Sequence, residues 1–164
     1  MSSRQSNPYQ PPEALVNHLP VSVDYRIQET EWGTWRSFMY ENGSTFQEFT
    51  SYATWGDLPL LNYTAGKFPE TGRAKTARGV IAIGRFARGY MAFGQVAIGY
   101  VAVGQLSVGI VSGGQLAIGM MAIGQAAISI THALGQFAIG YYAVGQFAVG
   151  RFVSGLWTYQ LPLW

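Results

Sequence analysis

The strongest pattern in the sequence is a five-residue period of glycine and apolar positions. Glycine recurs at every fifth position across residues 79–155, except where Ser129 replaces it and one extra residue follows. A small residue, usually alanine, comes three positions after each glycine and stands between large apolar residues, as in Val96-Ala97-Ile98. Such tandem self-similarity is typical of repeat architectures, so the period decides the fold prediction for this half of the chain.

Neither an α-helix nor a flat strand accommodates this period. Five residues carry an α-helix about 140° past a full turn, which spreads the glycines around the helix. In a flat strand, an odd period moves each glycine to the opposite face. Short strands joined by glycine corners satisfy the period, and we expect glycine to supply the unusual φ angle that a corner needs. The predicted fold class is all-β: a narrow β-solenoid of five- or ten-residue repeats, preceded by a small domain that contains a β-hairpin.

A second period of ten residues lies on top of the first. The residue after every other glycine is polar, whereas the intervening positions hold tyrosine, aliphatic residues or arginine. We predict a ten-residue coil that stacks the polar residues as a ladder along one edge, where side-chain amides can bond to one another. A twenty-residue coil with two ladders stays open. The candidate ladder and oligomer contacts are Gln95, Gln105, Gln115, Gln125, Gln136 and Gln146.

Proline, turn residues and charge divide the rest of the chain. Asn42-Gly43 is a dipeptide suited to a tight hairpin turn, and it lies between two strand-like segments. The predicted segments are a flexible proline-rich tail (1–20), a small β-domain (21–66), a basic loop (67–78), the glycine–alanine solenoid (79–155) and an aromatic tail (156–164).

The direction of the alanine side chains decides what the repeat exposes. Three packings are open: alanines inward with both large residues outward, large residues inward, or a four-sided coil with glycine and one large residue inward. The second stretches a two-residue corner near its limit, because the sheets would then lie about 10 Å apart. The first and third leave a continuous apolar exterior, beyond what soluble monomers tolerate. We therefore expect the surface to meet lipid or protein.

The order of residues along one edge favours lipid. Tyrosines come first, aliphatic residues occupy the middle, and aromatic and basic residues come last, which is the order of an aromatic belt on a membrane-spanning element. About six coils separate Arg88 from Arg151, and at about 4.8 Å per coil they span about 30 Å, the thickness of a bilayer's hydrocarbon core. The candidate membrane-interface anchors are Arg85, Arg88, Tyr90, Tyr100, Tyr141, Arg151, Trp157 and Trp164.

The distribution of charge predicts an orientation. All eight acidic residues lie at or before Glu70. A basic run stands ahead of the apolar repeat and consists of Lys67, Arg73, Lys75, Arg78, Arg85 and Arg88. By the positive-inside tendency, this run places the N-terminal domain in the cytoplasm. Because aromatic residues are only modestly interleaved with it, the run favours a membrane flank over nucleic-acid binding, and no nucleic-acid partner is expected.

No catalytic, cofactor or metal site is evident, so we expect neither enzyme activity nor a cofactor. The chain has no cysteine, and its histidines and carboxylates lack metal-ligand or paired-acid spacing. The repeat glycines are not followed by the lysine of a phosphate-binding loop. His132 is the only histidine in the repeat and stands at the one-residue insertion. It is either a polar site within the apolar zone or a residue that a bulge exposes at one edge.

The run GQVAIGYVAVGQ, from Gly94 to Gln105, resembles uncharacterised bacterial proteins with A-[IV]-G-x-x-A-x-G tandem repeats, and residues 56–84 resemble the lead-in to such repeats. The resemblance covers roughly residues 38–155 and implies a β-solenoid without a known activity. A looser similarity to pentapeptide-repeat proteins implies a four-sided β-helix, but the chain lacks their Asp/Asn and exposed Ser/Thr/Arg positions, which argues against DNA mimicry. The decad is also similar to a small antifreeze solenoid, although no threonine column for ice binding is present.

These observations leave two expected functions. The first is a non-enzymatic membrane protein whose solenoid is an anchor or scaffold in the lipid bilayer, with homo-oligomer contacts at the glutamine and aromatic edges. The alternative is a water-soluble cytoplasmic subunit whose apolar walls are buried in a larger protein assembly or filament.

Overall fold

The computed structural model describes residues 25–162, so the predicted tail over residues 1–20 and the anchor Trp164 lie outside the described residues. Within this part, the chain is all-β with a mixed sheet and has no helix, which confirms the predicted class. The strands are β1 (Arg26–Glu29), β2 (Gly33–Met39), β3 (Thr45–Ser51), β4 (Thr54–Trp55), β5 (Leu58–Pro59), β6 (Leu61–Ala65) and β7 (Thr76–Gln160).

Strands β1, β2, β3 and β6 form an antiparallel sheet ahead of the repeat, and we call residues 25–65 the N-terminal unit. β2 and β3 form the predicted hairpin, with Met39 opposite Thr45 and Gly43 in the turn at a φ of 79°. A side chain would strain the backbone at that φ, so glycine suits the position. Tyr25 packs edge-on against the fully buried Phe46 with 6.3 Å between ring centroids. This aromatic face is the small core of the unit.

Strand β6 connects the N-terminal unit to the repeat. It pairs in parallel with the first residues of β7, with Leu61 opposite Ile81. The buried Asn62 fastens this junction, because its side-chain amide donates to Thr50 Oγ1 and its carbonyl oxygen accepts from the Arg78 backbone N–H, both at 3.0 Å. β6 therefore covers the first open edge of the repeat, as a terminal capping element does in repeat proteins.

A buried carboxylate provides a second connection at the same place. Glu48 on β3 is only 5% exposed, and its Oε1 lies 2.6 Å from Lys75 Nζ, immediately before β7 begins. Its Oε2 lies 3.5 Å from Arg36 Nη1 without the geometry of a hydrogen bond. Because a buried charge is costly unless it is paired, Lys75 and Arg36 compensate the carboxylate of Glu48 inside the sheet.

Strand β7 folds back on itself every ten residues. Its 85 residues would extend about 280 Å as one straight strand, yet residues ten apart are in contact. The ring centroids of Tyr90 and Tyr100 lie 5.1 Å apart, and those of Phe137 and Phe147 lie 5.0 Å apart, in both cases stacked. We call each stacked ten-residue stretch a decad; the insertion after Ser129 lengthens one of them to eleven residues. This spacing agrees with the ten-residue period and not with a twenty-residue one.

The core of the repeat is a column of small side chains. The alanines of the five-residue period are 0–3% exposed, and Ser107 and Ser112 replace alanine at two positions of the period. The large residues beside them are half-buried or exposed, as with Ile98 at 47% and Val103 at 44%. The alanines therefore point inward and their neighbours outward, which is the first of the three packings and excludes the other two. The buried alanines are Ala77, Ala82, Ala87, Ala92, Ala97, Ala102, Ala117, Ala122, Ala127, Ala133, Ala138, Ala143 and Ala148.

The repeat glycines are required by close approach between decads. The expectation that they supply an unusual φ is wrong, because among them only Gly114, at 152°, has a positive φ. A Cβ on Gly104 would overlap the carbonyl oxygen of Gly94, and a Cβ on Gly145 would overlap that of Gly135. Backbone of the preceding decad thus occupies the space that a side chain would need, and only glycine fits there.

Candidate lipid-facing surface

The outer surface of β7 is apolar along its length. Many of the large side chains on both sides of the alanine column are more than a third exposed, from Ile83 near the start to Phe152 near the end, and Ile130, which follows Ser129, reaches 72%. A soluble monomer seldom exposes a continuous apolar patch larger than about 600 Å². This surface continues through every decad, so it needs apolar material to cover it.

One column of the surface begins with Tyr90 and holds the residues that follow alternate glycines. Its first residues have the predicted order, with aromatic side chains before aliphatic ones. Tyr90 and Tyr100 stack on each other. The next three places hold aliphatic side chains, Ile110, Met120 and Ile130, which are 44%, 46% and 72% exposed. An aromatic end is thus followed by an aliphatic middle on a single face.

Aromatic and basic side chains return at the other end of the same column. Tyr141 packs edge-on against Phe152 with 5.4 Å between ring centroids. The Arg151 guanidinium lies 5.6 Å from the centroid of the Phe152 ring. Trp157 is 70% exposed in the last decad. Tyr141 and Arg151 therefore end this column after the aliphatic middle, whereas Trp157 follows Phe147 by ten residues and lies on another column.

The glutamines form a separate polar column. All six are exposed at ten-residue steps, or eleven across the insertion, and Arg85 stands at the head of the column. Arg85 Nε donates to Gln95 Oε1 at 3.0 Å. Among residues 25–162, no hydrogen bond joins two glutamine side chains, so the amides of this column are exposed without bonding to one another. Of the predicted anchors, Arg85 therefore belongs to this column, whereas Arg88 lies before Gly89 on another.

The one-residue insertion places a few polar groups in the middle of β7. Thr131 Oγ1 donates to the Met120 carbonyl oxygen at 2.6 Å. The Ser129 hydroxyl is buried and has no hydrogen-bond partner within the described residues. His132 is exposed and stacks on Tyr142 with 5.0 Å between ring centroids. This exposed position agrees with a bulge that turns the histidine to the surface.

A surface groove follows alternate glycines, and the sequence analysis missed it. Its first part has a volume of about 720 Å³, begins between Arg78 and Arg88, and passes over Gly89, Gly99 and Gly109. A second part of about 400 Å³ shares Gly109 and continues to Ser129. The five-residue period could have predicted this groove, because a column of glycines between columns of large outward side chains must form a trench. Its walls are Tyr90, Tyr100, Ile110, Met120 and Ile130 on one side and Ile98, Val108, Ile118 and Ile128 on the other.

In residues 25–162, no helix is long and apolar enough to cross a membrane. Across the same range, no group of three or more His, Asp or Glu side chains is placed to hold a metal ion. In comparisons with protein-family models, curated proteins and solved structures, no match to this chain was found. Any function must therefore be argued from the surface itself.

Proposed function

We propose that the chain is a non-enzymatic membrane anchor or scaffold in which β7 is a narrow β-solenoid of ten-residue coils that spans a lipid bilayer. The observation that carries this proposal is the distribution of side chains, with alanine buried and Ile, Val, Phe and Met exposed. Apolar surface left in water costs about 25 cal/mol per Å². Lipid would cover the apolar faces of β7, which the thin alanine core cannot do.

The backbone of a solenoid also meets the main requirement of a bilayer. Every N–H and C=O group in the hydrocarbon must be paired, which is why helices and closed barrels are the usual spanning structures. In a solenoid, hydrogen bonds between successive coils pair these groups, and only the two end coils have open edges. At the first end, β6 pairs with residues 81–84 and occupies that edge.

The dimensions of the apolar zone match a bilayer. Between Arg88 and Arg151 lie about six decads, which at about 4.8 Å each span about 30 Å. Tyr90 and Tyr100 stack at one limit, and Tyr141 packs against Phe152 at the other. Tyrosine favours the membrane–water interface because its ring is apolar and its hydroxyl is polar.

The basic residues before the zone favour a cytoplasmic N-terminal unit. The chain has no cysteine, so a single introduced cysteine reports its own location without background. A cysteine at Ser37 on β2 should react with a membrane-impermeant maleimide only after the cells are opened. Labelling of intact cells would show that the N-terminal unit lies outside the cytoplasm.

The glutamine column supports a second candidate, a subunit buried in a protein assembly. Six exposed amides in register suit the face between two solenoids, because amides can bond across such an interface. In a bilayer, the same column is a candidate contact between copies. The two functions differ in what covers the other faces, which are lipid in the first and protein in the second.

Membrane fractionation separates these functions. If lipid covers β7, the native chain stays in the pellet after an alkaline carbonate wash and is released only by detergent. Ile123→Asp should lower the retained fraction, because Ile123 is 55% exposed in the apolar zone and a carboxylate there costs about 2–3 kcal/mol in hydrocarbon. Ile27→Asp is the matched control, since Ile27 is 59% exposed on β1 outside the zone. Release of the native chain by carbonate as a large soluble particle would support the assembly instead.

A further inference from the structure

The groove over the glycines has different chemistry at its two ends. Arg78 and Arg88 stand ten residues apart at one end, on adjacent strands about 4.8 Å apart. Across residues 25–162, the ion pairs are Arg36–Glu48 and Lys75–Glu48, so no carboxylate of that range pairs with either groove arginine. Two unpaired like charges side by side repel each other, and an anion between them relieves the repulsion.

Aromatic residues shape the space next to these arginines. Trp55 on β4 packs against Tyr90 with 4.9 Å between ring centroids, and Tyr90 stacks on Tyr100. Leu58 on β5 lines the groove at this end. The N-terminal unit therefore helps to build the head of the groove, which combines two guanidinium groups with two phenol hydroxyls as hydrogen-bond donors.

Beyond the tyrosines the groove is a narrow aliphatic trench. Its floor is glycine backbone, and its walls are Ile, Val and Met side chains as far as residue 130. From Arg88 to Ile128 the groove crosses four decads, or about 19 Å, which is comparable with the roughly 15 Å thickness of one leaflet's hydrocarbon. A trench of this length fits an extended acyl chain.

We infer that the groove binds an anionic long-chain lipid, with the acidic head group between Arg78 and Arg88 and one acyl chain lying along the glycine floor. This inference rests on the proposed membrane insertion and names the lipid class that the inserted surface selects. Head groups of this charge come from an anionic phospholipid in the bilayer or from a free fatty acid in water. Both use the same guanidinium contacts, so the experiment has an arm for each.

The first arm measures lipid selectivity in vesicles. The full-length chain is inserted into phosphatidylcholine vesicles that contain a trace of phosphatidylglycerol or phosphatidylcholine spin-labelled near the end of the acyl chain. We expect motionally restricted phosphatidylglycerol to exceed phosphatidylcholine, by about fivefold for each arginine. The double variant Arg78→Gln/Arg88→Gln should lose this preference. Arg85→Gln is the control, because it removes one positive charge nearby but from the glutamine column, and it should keep the preference.

The acyl part of the site has its own variant. Val108→Trp fills the trench at its middle, so it should reduce the restricted phosphatidylglycerol signal while leaving insertion unchanged. Equal restriction of both lipids by the native chain, or an unchanged preference in the double variant, would overturn the inference. An unchanged signal in the tryptophan variant would likewise exclude the trench as the place of the acyl chain.

The second arm applies if carbonate releases the native chain from membranes, which would refute insertion. Spin-labelled stearate is then titrated into the soluble protein. Immobilised stearate that is lost in the double arginine variant and kept in Arg85→Gln would retain the groove as a fatty-acid site although the membrane proposal had failed. No immobilised stearate with the native chain would refute the groove as well.

Discussion

Replacing a single repeat glycine tests the stacking of decads directly. In Gly104→Ala, the added methyl group would overlap the carbonyl oxygen of Gly94 and would lie 3.1 Å from its carbonyl carbon and 3.3 Å from the Gln95 carbonyl oxygen. All three atoms are backbone of the preceding decad. The neighbour therefore cannot rotate away as a side chain would, and the two decads must separate.

The expected loss follows from that separation. Forcing an extra carbon into a packed core costs about 1–3 kcal/mol, and each stretched backbone hydrogen bond adds about 1 kcal/mol. We expect a loss of about 3 kcal/mol. For a chain of this length, 1 kcal/mol lowers the midpoint of thermal unfolding by about 2–4 °C, so the variant should melt about 6–12 °C lower.

Gly113→Ala is the control for this experiment. Gly113 lies outside the five-residue glycine series and has no positive φ, and the nearest atom to an added Cβ is the Ile123 carbonyl oxygen at 3.9 Å. Alanine there should be neutral or stabilise by about 0.4–1 kcal/mol, because it restricts the unfolded chain.

Thermal unfolding is followed by far-ultraviolet circular dichroism in the same detergent for all three proteins. The melting midpoint is preferable to an extrapolated free energy, because repeat proteins often unfold in more than one step. If Gly104→Ala and Gly113→Ala melt together near the native temperature, close approach between decads is not what selects glycine, and the ten-residue stacking is refuted.

Two further predictions concern buried polar groups. Ser107→Ala restores the repeat's usual residue and removes a buried hydroxyl that lacks a partner among the described residues. The free energy of unfolding should therefore increase by about 1 kcal/mol, and the melting midpoint should rise. Ser112→Ala should stabilise less, because the Ser112 hydroxyl donates to the Met121 carbonyl oxygen. Glu48→Ala leaves Lys75 unpaired beside the sheet and should lower the free energy of unfolding by about 2 kcal/mol, a loss that the partial exposure of the cation keeps small. Glu29→Ala on exposed β1 should change stability little in the same melting assay. A fall in stability for Ser107→Ala, or equal effects of the two glutamate variants, would contradict these assignments.

The class of fold could be predicted from the sequence because the five-residue period is strict. The odd spacing excluded a helix and a flat strand, and the glutamines at every tenth residue already indicated which residues would stack. Asn42-Gly43 likewise placed the hairpin, since its conformational preference is local. Period alone left three packings open, and only the burial of the alanines distinguishes them.

Features that depend on contacts between segments could not be read in this way. The sequence predicts that glycine is needed for its φ, whereas the decisive factor is a carbonyl group ten residues away. Glu48 gave no sign in the sequence that it would be buried, because its two cations come from β2 and from the loop before β7. The parallel pairing of β6 with β7 is a tertiary contact of the same kind, and so is the contribution of Trp55 to the groove.

The stacking of decads also means that the length of β7 changes in fixed steps. Each decad contacts the one ten residues before it, so duplicating or deleting one whole decad preserves the neighbours of all the others. Such an event changes the height by one strand spacing, about 4.8 Å, and leaves the junction at β6 as it was. The eleven-residue decad at Ser129 shows that a decad can hold one extra residue while the stacking continues. If β7 spans a bilayer as proposed, unequal recombination between the repeats of its gene would match the height of β7 to a thinner or thicker membrane.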